Sequence, residues 1–106
     1  MKTEDIIKLG WLFENTFNNR NLYSLNNKYE YMIFEHNGSW GIINPYGKEL
    51  NFEYLNMTDD QIVKYTELSK SMIEIYDDPK NYSFFEFCES AKKINDFINE
   101  LKKEKL

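Results

Sequence analysis

Histidine and cysteine, the side chains that most often serve as catalytic bases, nucleophiles and zinc ligands, occur only once each in this sequence. His36 lies at the shoulder of a predicted turn beside Asn37. Cys88 lies on the inner flank of the predicted last helix, where a packed cysteine is the more common role. A hydrolytic nucleophile needs a neighbouring base, a structural zinc site needs four ligands, and the 4 glycines form no phosphate-binding loop. We therefore expect a protein that is not an enzyme and that carries no metal or cofactor.

Carboxylates are the one functional group that the sequence supplies in quantity, and they include two adjacent pairs. Asp59 and Asp60 fall at the start of a predicted helix, where the helix dipole favours negative charge. Asp77 and Asp78 fall at the end of the same helix before Pro79, where the dipole opposes them, so they indicate either a turn or a function. Neither pair has the spacing of an EF-hand calcium loop.

Negative charge is concentrated in one part of the chain. Residues 49–78 contain eight acidic side chains and two lysines, a net charge of −6, whereas the whole chain carries −5. Such a stripe is either a solvated face or a surface that meets a basic partner through complementary potential. Aromatic side chains near the sheet supply either the anchors that binding hot spots favour or simply core. The candidate partner-binding residues are Trp40, Tyr46, Glu49, Glu53, Asp59, Asp60, Glu67, Glu74, Asp77 and Asp78.

Length and composition indicate a single domain over residues 1–106 and argue against several kinds of partner. A chain of 106 residues is too short for two independent cores. The net charge of −5 and the single arginine, Arg20, disfavour direct binding to nucleic acid or to an anionic membrane. No apolar run approaches the ~18 residues of a membrane span, the chain does not open with a secretory signal, and one cysteine allows no internal disulfide. We expect a cytoplasmic protein.

Apolar periodicity predicts a helix over residues 3–18. Apolar side chains recur three or four residues apart in this segment, at Ile6, Leu9, Phe13 and Phe17. The run of residues 18–21, which contains three asparagines, ends the pattern, and residues 22–25 are ambiguous between helix and strand.

The middle of the chain predicts a three-stranded antiparallel meander. A strand over residues 28–36 runs into Asn37-Gly38, the pair favoured in two-residue type I′ hairpins. That turn pairs His36 with Ser39, Glu35 with Trp40, and Ile33 with Ile42. Alternation then places Tyr31, Ile33, Trp40 and Ile42 on one face and Met32, Phe34 and Ile43 on the other. Residues 49–54 alternate as a third strand.

Two capping boxes predict two C-terminal helices. Thr58 and Gln61 begin the first helix, and Asp77-Asp78-Pro79 ends it; its apolar stripe is Ile62, Tyr65, Leu68, Met72 and Ile75. Ser83 and Glu86 begin the second helix, whose stripe is Phe84, Phe87, Ala91, Ile94, Ile98 and Leu101. The predicted fold is therefore α+β: an N-terminal helix, a three-stranded antiparallel meander, and two helices packed on one face of the sheet. The heptad-like stripe of the last helix either packs inside the domain or forms a homodimer.

The segment Asn37-Gly38-Ser39-Trp40-Gly41 and its continuation through residues 42–50 resembles one unit of the WG-repeat family. In that pattern a Gly precedes a Trp-Gly pair, which is followed by an Ile, a polar residue and a Gly-Lys-Glu-aliphatic run, here Gly47-Lys48-Glu49-Leu50. The resemblance covers about fourteen residues. It implies a β-hairpin and no particular activity.

In size, acidity and lack of an active site, the chain also resembles the small phage-encoded inhibitors of bacterial defence, anti-CRISPR proteins among them. Members of that class often block a nuclease by occupying its basic nucleic-acid channel. The resemblance implies a non-catalytic protein that binds and inhibits a basic, nucleic-acid-handling partner. The alternatives are an immunity or antitoxin protein that neutralises a cognate toxin, and a protein that sequesters a small ligand.

Overall fold

The structure is a computed structural model and describes residues 1–44, 51–53 and 55–104; for residues 44 and 51–53 it describes the backbone alone. A short helix, α1 (Thr3–Lys8), precedes four strands: β1 (Trp11–Phe17), β2 (Arg20–Leu25), β3 (Lys28–His36) and β4 (Ser39–Asn44). A fifth strand, β5 (Asn51–Glu53), precedes the helices α2 (Asp59–Asp77) and α3 (Phe84–Glu104), which a single 3-10 turn (Pro79–Asn81) joins. The strands form one antiparallel sheet in the order β1-β2-β3-β4-β5.

The predicted helix over residues 3–18 is wrong beyond Lys8. Gly10 ends α1 with φ at +110°, a conformation that side chains with a Cβ rarely adopt. The backbone then becomes extended, and residues 11–17 form the edge strand β1. The spacing of Ile6 and Phe13 fitted a helical stripe, yet these residues belong to different elements. The sheet therefore has five strands instead of three, and the ambiguous residues 22–25 belong to β2.

Two asparagine pairs make the turns that the sequence prediction missed. Asn18 and Asn19 have φ values of 50° and 63°, and Asn26 and Asn27 have 51° and 61°. Positive φ at both central residues defines the type I′ turn, and asparagine tolerates it better than most side chains. The same geometry recurs at Asn37 and Gly38, with φ of 51° and 83°. Three turns of one kind therefore join β1 to β4.

The β3–β4 hairpin has the predicted register. His36 pairs with Ser39, Glu35 with Trp40, and Ile33 with Ile42. The predicted faces are also confirmed. Tyr31, Ile33, Trp40 and Ile42 belong to the main core, whereas Phe34 and Ile43 lie in a second cluster on the opposite face, with Leu22 and the partly buried Met32. Of the predicted third strand, Asn51–Glu53 is present as β5, and residues 49, 50 and 54 lie outside the described residues.

The helix α2 covers one face of the sheet. Its buried side chains include Ile62, Tyr65 and Met72, which join the main core with Trp11 and Leu25 of the sheet. The indole Nε1 of Trp11 donates a buried hydrogen bond of 2.9 Å to Thr66 Oγ1. Burial of this apolar stripe is what holds the helix in place, at roughly 25 cal/mol per Å² of apolar surface.

The last helix, α3, packs mainly against α2, so the prediction that both helices pack on the sheet is corrected for α3. The two helices run in opposite directions, since Gln61 near the start of α2 donates to Glu104 Oε2 at the end of α3. Leu101 is the one α3 residue that is fully buried within the described chain, at 1% exposed. The stripe residues Ile94 and Ile98 are only partly buried.

Candidate protein-binding surface

The capping boxes that begin α2 and α3 fix which side chains reach the surface. Thr58 Oγ1 accepts from the Gln61 amide at 3.2 Å, and Gln61 Oε1 accepts from the Thr58 amide at 2.9 Å. Ser83 and Glu86 make the same reciprocal pair at 3.1 and 3.2 Å. Both predicted helix starts are therefore confirmed, and each satisfies amide groups that have no partner within the helix.

The acidic side chains of α2 follow one line along its exposed side. Asp60, Glu67 and Glu74 are all exposed and lie seven residues apart. Seven residues are close to two helical turns, or about 10.5 Å of rise, so the three carboxylates share a face. Lys64 and Lys70 lie one turn from these acids, at spacings that allow attraction on a helix surface. The middle of the line is thus partly balanced, and its C-terminal end carries the excess charge.

The end of α2 gathers three carboxylates that the helix dipole disfavours. Glu74, Asp77 and Asp78 lie within the last two turns and the C-cap position, and no basic residue occurs in the last turn of the helix. Lys28 Nζ compensates in part, because it lies 3.2 Å from Asp77 Oδ1. Asn81 Nδ2 donates to Asp78 Oδ2, which supports the turn into α3. This supports the turn interpretation of Asp78 and leaves Glu74 and Asp77 facing solvent.

The phenol of Tyr82 lies close to carboxylates from α2, its C-cap and α3. Its desolvation, followed by the carboxylates of Glu74, Asp78 and Glu86, raises the pKa of the phenol above its ordinary value. A hydrogen bond between the phenol and Glu74 acts in the same direction. Three acids from α2, its C-cap and α3 therefore act on one point, where a cation would be attracted.

Two grooves flank the last turns of α2. One, of about 570 Å³, lies between the Asn26 turn, the end of α2 and Tyr82. The other, of about 350 Å³, lies between Ile73, Tyr76 and Asp77 of α2 and the first residues of β3, Lys28 to Tyr31. A third groove of about 560 Å³ lies between α2 and α3. Leu68, Phe97 and Leu101 line it together with six polar or charged residues: Gln61, Lys64, Lys93, Asp96, Glu100 and Glu104.

Exposed aromatic side chains adjoin the acidic end of α2. Phe84 is 81% exposed, Phe85 is 69% exposed, and Tyr76 is 53% exposed. The prediction that Phe84 belongs to the apolar stripe of α3 is therefore wrong: Phe84 is the first residue of the helix and stacks on Phe87, but it stays largely exposed. Cys88 is also exposed, which corrects its predicted place in the core. We call Tyr76, Phe84, Phe85 and Phe87 the aromatic joint, since they lie where α2 gives way to α3.

The predicted partner-binding residues divide into three groups. Six exposed acids lie on α2 or at its ends: Asp59, Asp60, Glu67, Glu74, Asp77 and Asp78. Asp59 is 68% exposed and pairs with the amino group of Met1 at 2.8 Å. The prediction that Trp40 is a surface anchor is wrong, because its side chain is 3% exposed and its Nε1 donates to the carbonyl of Met1. Tyr46 and Glu49 lie outside the described residues, and Glu53 is described by its backbone alone.

The single histidine takes part in turn structure. Its Nδ1 donates to the carbonyl of Asn19 at 3.1 Å, so Nε2 is left to accept from Asn37 Nδ2 at 3.3 Å. His36 thus links the first and third hairpin turns. Over residues 1–44, 51–53 and 55–104, no group of three His, Cys, Asp or Glu side chains is arranged to hold a metal ion.

No family model, curated protein or solved structure matches this chain. The resemblances to a WG repeat and to anti-CRISPR proteins accordingly stay predictions. Within the part of the chain that the structure describes, no helix has the length and apolar character needed to cross a bilayer.

The sequence reasoning missed Tyr76, Phe84 and Phe85 as surface residues. One signal was present for the phenylalanines. Phe84 and Phe85 are adjacent, and adjacent positions on a helix point about 100° apart, so both cannot belong to one narrow stripe. Tyr76 carried the same signal, because it is adjacent to Ile75 of the predicted stripe and therefore points about 100° away from it on the helix.

Proposed function

We propose that the protein is a non-catalytic binder that acts in the cytoplasm by inhibiting a basic, nucleic-acid-handling protein, such as a bacterial defence nuclease. The observation that carries the proposal is the line of exposed carboxylates along α2, which ends at Glu74, Asp77 and Asp78. A surface of one sign attracts a partner of the other sign and raises the association rate. It also competes with nucleic acid for a basic channel, because both present rows of negative charge.

Charge reversal on α2 tests this proposal. The variant Glu67→Lys/Glu74→Lys should lose at least tenfold in affinity for its basic partner at low salt, since both residues are exposed and lie on one line. Tagged protein would capture the partner from lysate at low salt, and affinities would then be measured over a range of salt concentrations. The affinity of the natural protein should fall with salt, and that of the variant should fall less steeply.

The matched control carries the same change in net charge on another surface. Glu89→Lys/Glu100→Lys alters two exposed acids of α3 and leaves the α2 line intact. If the control loses as much affinity as the α2 variant, overall charge and not the α2 surface governs binding. Capture of one cognate toxin in place of a nucleic-acid-handling protein would favour the immunity function, which uses the same surface chemistry.

A small-ligand function is the second candidate, and the groove between α2 and α3 supports it. Its volume of about 560 Å³ falls within the range of small-molecule sites, and Leu68, Phe97 and Leu101 give it apolar surface among polar and charged residues. Native mass spectrometry of protein purified from its host distinguishes the two functions, because a sequestering protein would carry a ligand of defined mass. Protein free of ligand that still captures a basic partner would support the inhibitor.

A further inference from the structure

The aromatic joint forms a continuous track across the end of the two-helix layer. The rings of Phe84 and Phe87 stack with their centroids 6.4 Å apart, and the rings of Phe87 and Tyr76 meet edge to face at 5.7 Å. The track therefore runs from the first turn of α3 to the last turn of α2 and spans at most about 12 Å between its outer rings. Phe85 stands beside it, largely exposed.

The track continues into a groove at the edge of the sheet. Tyr76 lines both the track and the 350 Å³ groove between the end of α2 and the start of β3, which Tyr31 and Ile73 also line. Ile73 and Tyr31 belong to the main core, so the lining of the groove is held by packing. The aromatic track thus adjoins, through Tyr76, a groove that Tyr31 and Ile73 line together with the charged residues Lys28, Glu30 and Asp77.

The fold itself does not require Phe84 and Phe85 at the surface, whereas Phe87 also packs against the main core. The capping box of α3 is made by Ser83 and Glu86, and the buried anchor of α3 is Leu101, five turns away. Phe84 and Phe85 expose most of their surface, so they add little to the core. Contiguous exposed apolar surface is a common feature of sites where a protein binds another molecule.

Charge around the track indicates what that molecule carries. Carboxylates of Glu30 and Asp77 line the groove, and those of Glu74, Asp78 and Glu86 act together at the neighbouring Tyr82. Among the described residues, Lys28 is the one basic residue that lines the groove, and it already pairs with Asp77. A second copy of this chain would bring the same acids against each other, so the complementary occupant is an apolar surface with a basic border.

We propose that the aromatic joint and its groove receive an amphipathic helix of the partner protein, with apolar anchors on one face and lysines or arginines beside them. The two centroid separations limit the track to at most about 12 Å, so it can receive no more than two turns of a partner helix, with anchors within the positions i, i+4 and i+7. The inference rests on the proposed function, because both concern the same interface. The α2 line supplies its charged contacts, and the aromatic joint supplies its apolar contacts.

A synthetic peptide tests the inference without knowledge of the natural partner. The probe is an 18-residue helix of leucine and lysine in an amphipathic pattern, and binding is followed by amide chemical shifts of the isotope-labelled protein and by titration of a labelled peptide. We expect the largest shifts at residues 73–77 and 84–88. A second peptide with glutamate in place of lysine should not bind.

Paired protein variants distinguish peptide binding at the aromatic track from nonspecific electrostatic attraction between the peptide and the protein. Phe84→Ser/Phe85→Ser should weaken peptide binding at least tenfold with the same dependence on salt, because it removes apolar contacts and no charge. Ile7→Ser/Leu12→Ser removes two exposed apolar side chains elsewhere and should change affinity less than twofold. Both variants should unfold at denaturant concentrations close to that of the natural protein, which shows that lost binding is not lost folding.

Three results would overturn the inference: no binding of the leucine–lysine peptide, equal binding by the Phe84/Phe85 variant, or a dimer in sedimentation equilibrium that this variant abolishes. The last would assign the track to a second copy of the chain. The proposed function fails separately, if the captured partner binds the Glu67→Lys/Glu74→Lys variant with unchanged affinity. Either idea can therefore fail while the other stands.

Discussion

Thr66 is the residue through which the core of the sheet and α2 share a polar contact. Its hydroxyl accepts from Trp11 Nε1 at 2.9 Å and donates to the carbonyl of Ile62 at 2.7 Å, in a buried setting. One hydroxyl thereby satisfies the indole donor of a fully buried tryptophan. A buried donor without a partner is more costly than the net gain of an ordinary hydrogen bond.

Replacing Thr66 by valine should lower the free energy of unfolding by about 1–3 kcal/mol, because the Trp11 donor is then left unsatisfied. Thr66→Ser is the matched control, since it keeps the hydroxyl and loses only a methyl group, and it should cost less. Urea unfolding followed by circular dichroism measures both variants. Equal losses for valine and serine would show that packing, not the hydrogen bond, holds this site.

Trp40 shows why the face that a residue occupies was predicted correctly while its exposure was not. The alternation of the hairpin placed Trp40 on the same face as Ile33 and Ile42, and the structure confirms that placement. The separate prediction that Trp40 anchors a partner relied on residue type, and its 3% exposure contradicts it. Periodicity describes which side of a strand a residue occupies, whereas residue type says little about whether that side is covered.

At the scale of elements, sequence signals that lie wholly within a few residues predicted the structure correctly. The capping boxes at Thr58 and Ser83 and the Asn37-Gly38 turn are complete in four residues or fewer, and all three are confirmed. The segment of residues 3–18 failed because its apolar spacing also suits a short helix followed by an edge strand. Gly10 with positive φ decides between them, and a glycine in a sequence does not reveal its φ.

The asparagine turns yield a prediction of their own. Asn19 has φ of 63°, so Asn19→Gly should leave the free energy of unfolding unchanged or raise it slightly. Asn19→Val should lower it by about 1–2 kcal/mol, because a β-branched side chain clashes with the backbone in this conformation. Thermal unfolding of the two variants gives the comparison. A valine variant as stable as the glycine variant would mean that this turn is not of the type I′ kind in solution.

For the molecule as a whole, the sheet carries buried side chains on both faces. The α2 side holds the main core, and the opposite side holds the cluster of Leu22, Phe34 and Ile43, of which Phe34 is 0% exposed. Arg20 adds to this second cluster, because its guanidinium lies 6.0 Å from the centre of the Phe34 ring. The sequence predicted both faces, and the helical residues of the described core all belong to the cluster on the α2 side.

Phe34→Ala should therefore lower the free energy of unfolding by about 3–5 kcal/mol, as expected for truncation of a fully buried phenylalanine. Leu12→Ala is the control on the same face, where it is 39% exposed, and it should cost much less. Chemical denaturation at equilibrium measures both. A loss below about 1 kcal/mol for Phe34→Ala would contradict burial of the second face.

The three two-residue turns also bear on how quickly the chain reaches its native state. From β1 to β4 each strand pairs with its neighbour in sequence, so closing each hairpin requires only a short loop and little loss of chain entropy. The hairpins can thus form on the microsecond scale before any distant contact is made. By contrast, Trp11 must meet Thr66 across 55 residues, so docking of α2 on the sheet is the later and slower event. We expect a transition state in which the meander is formed and the helices are still being attached.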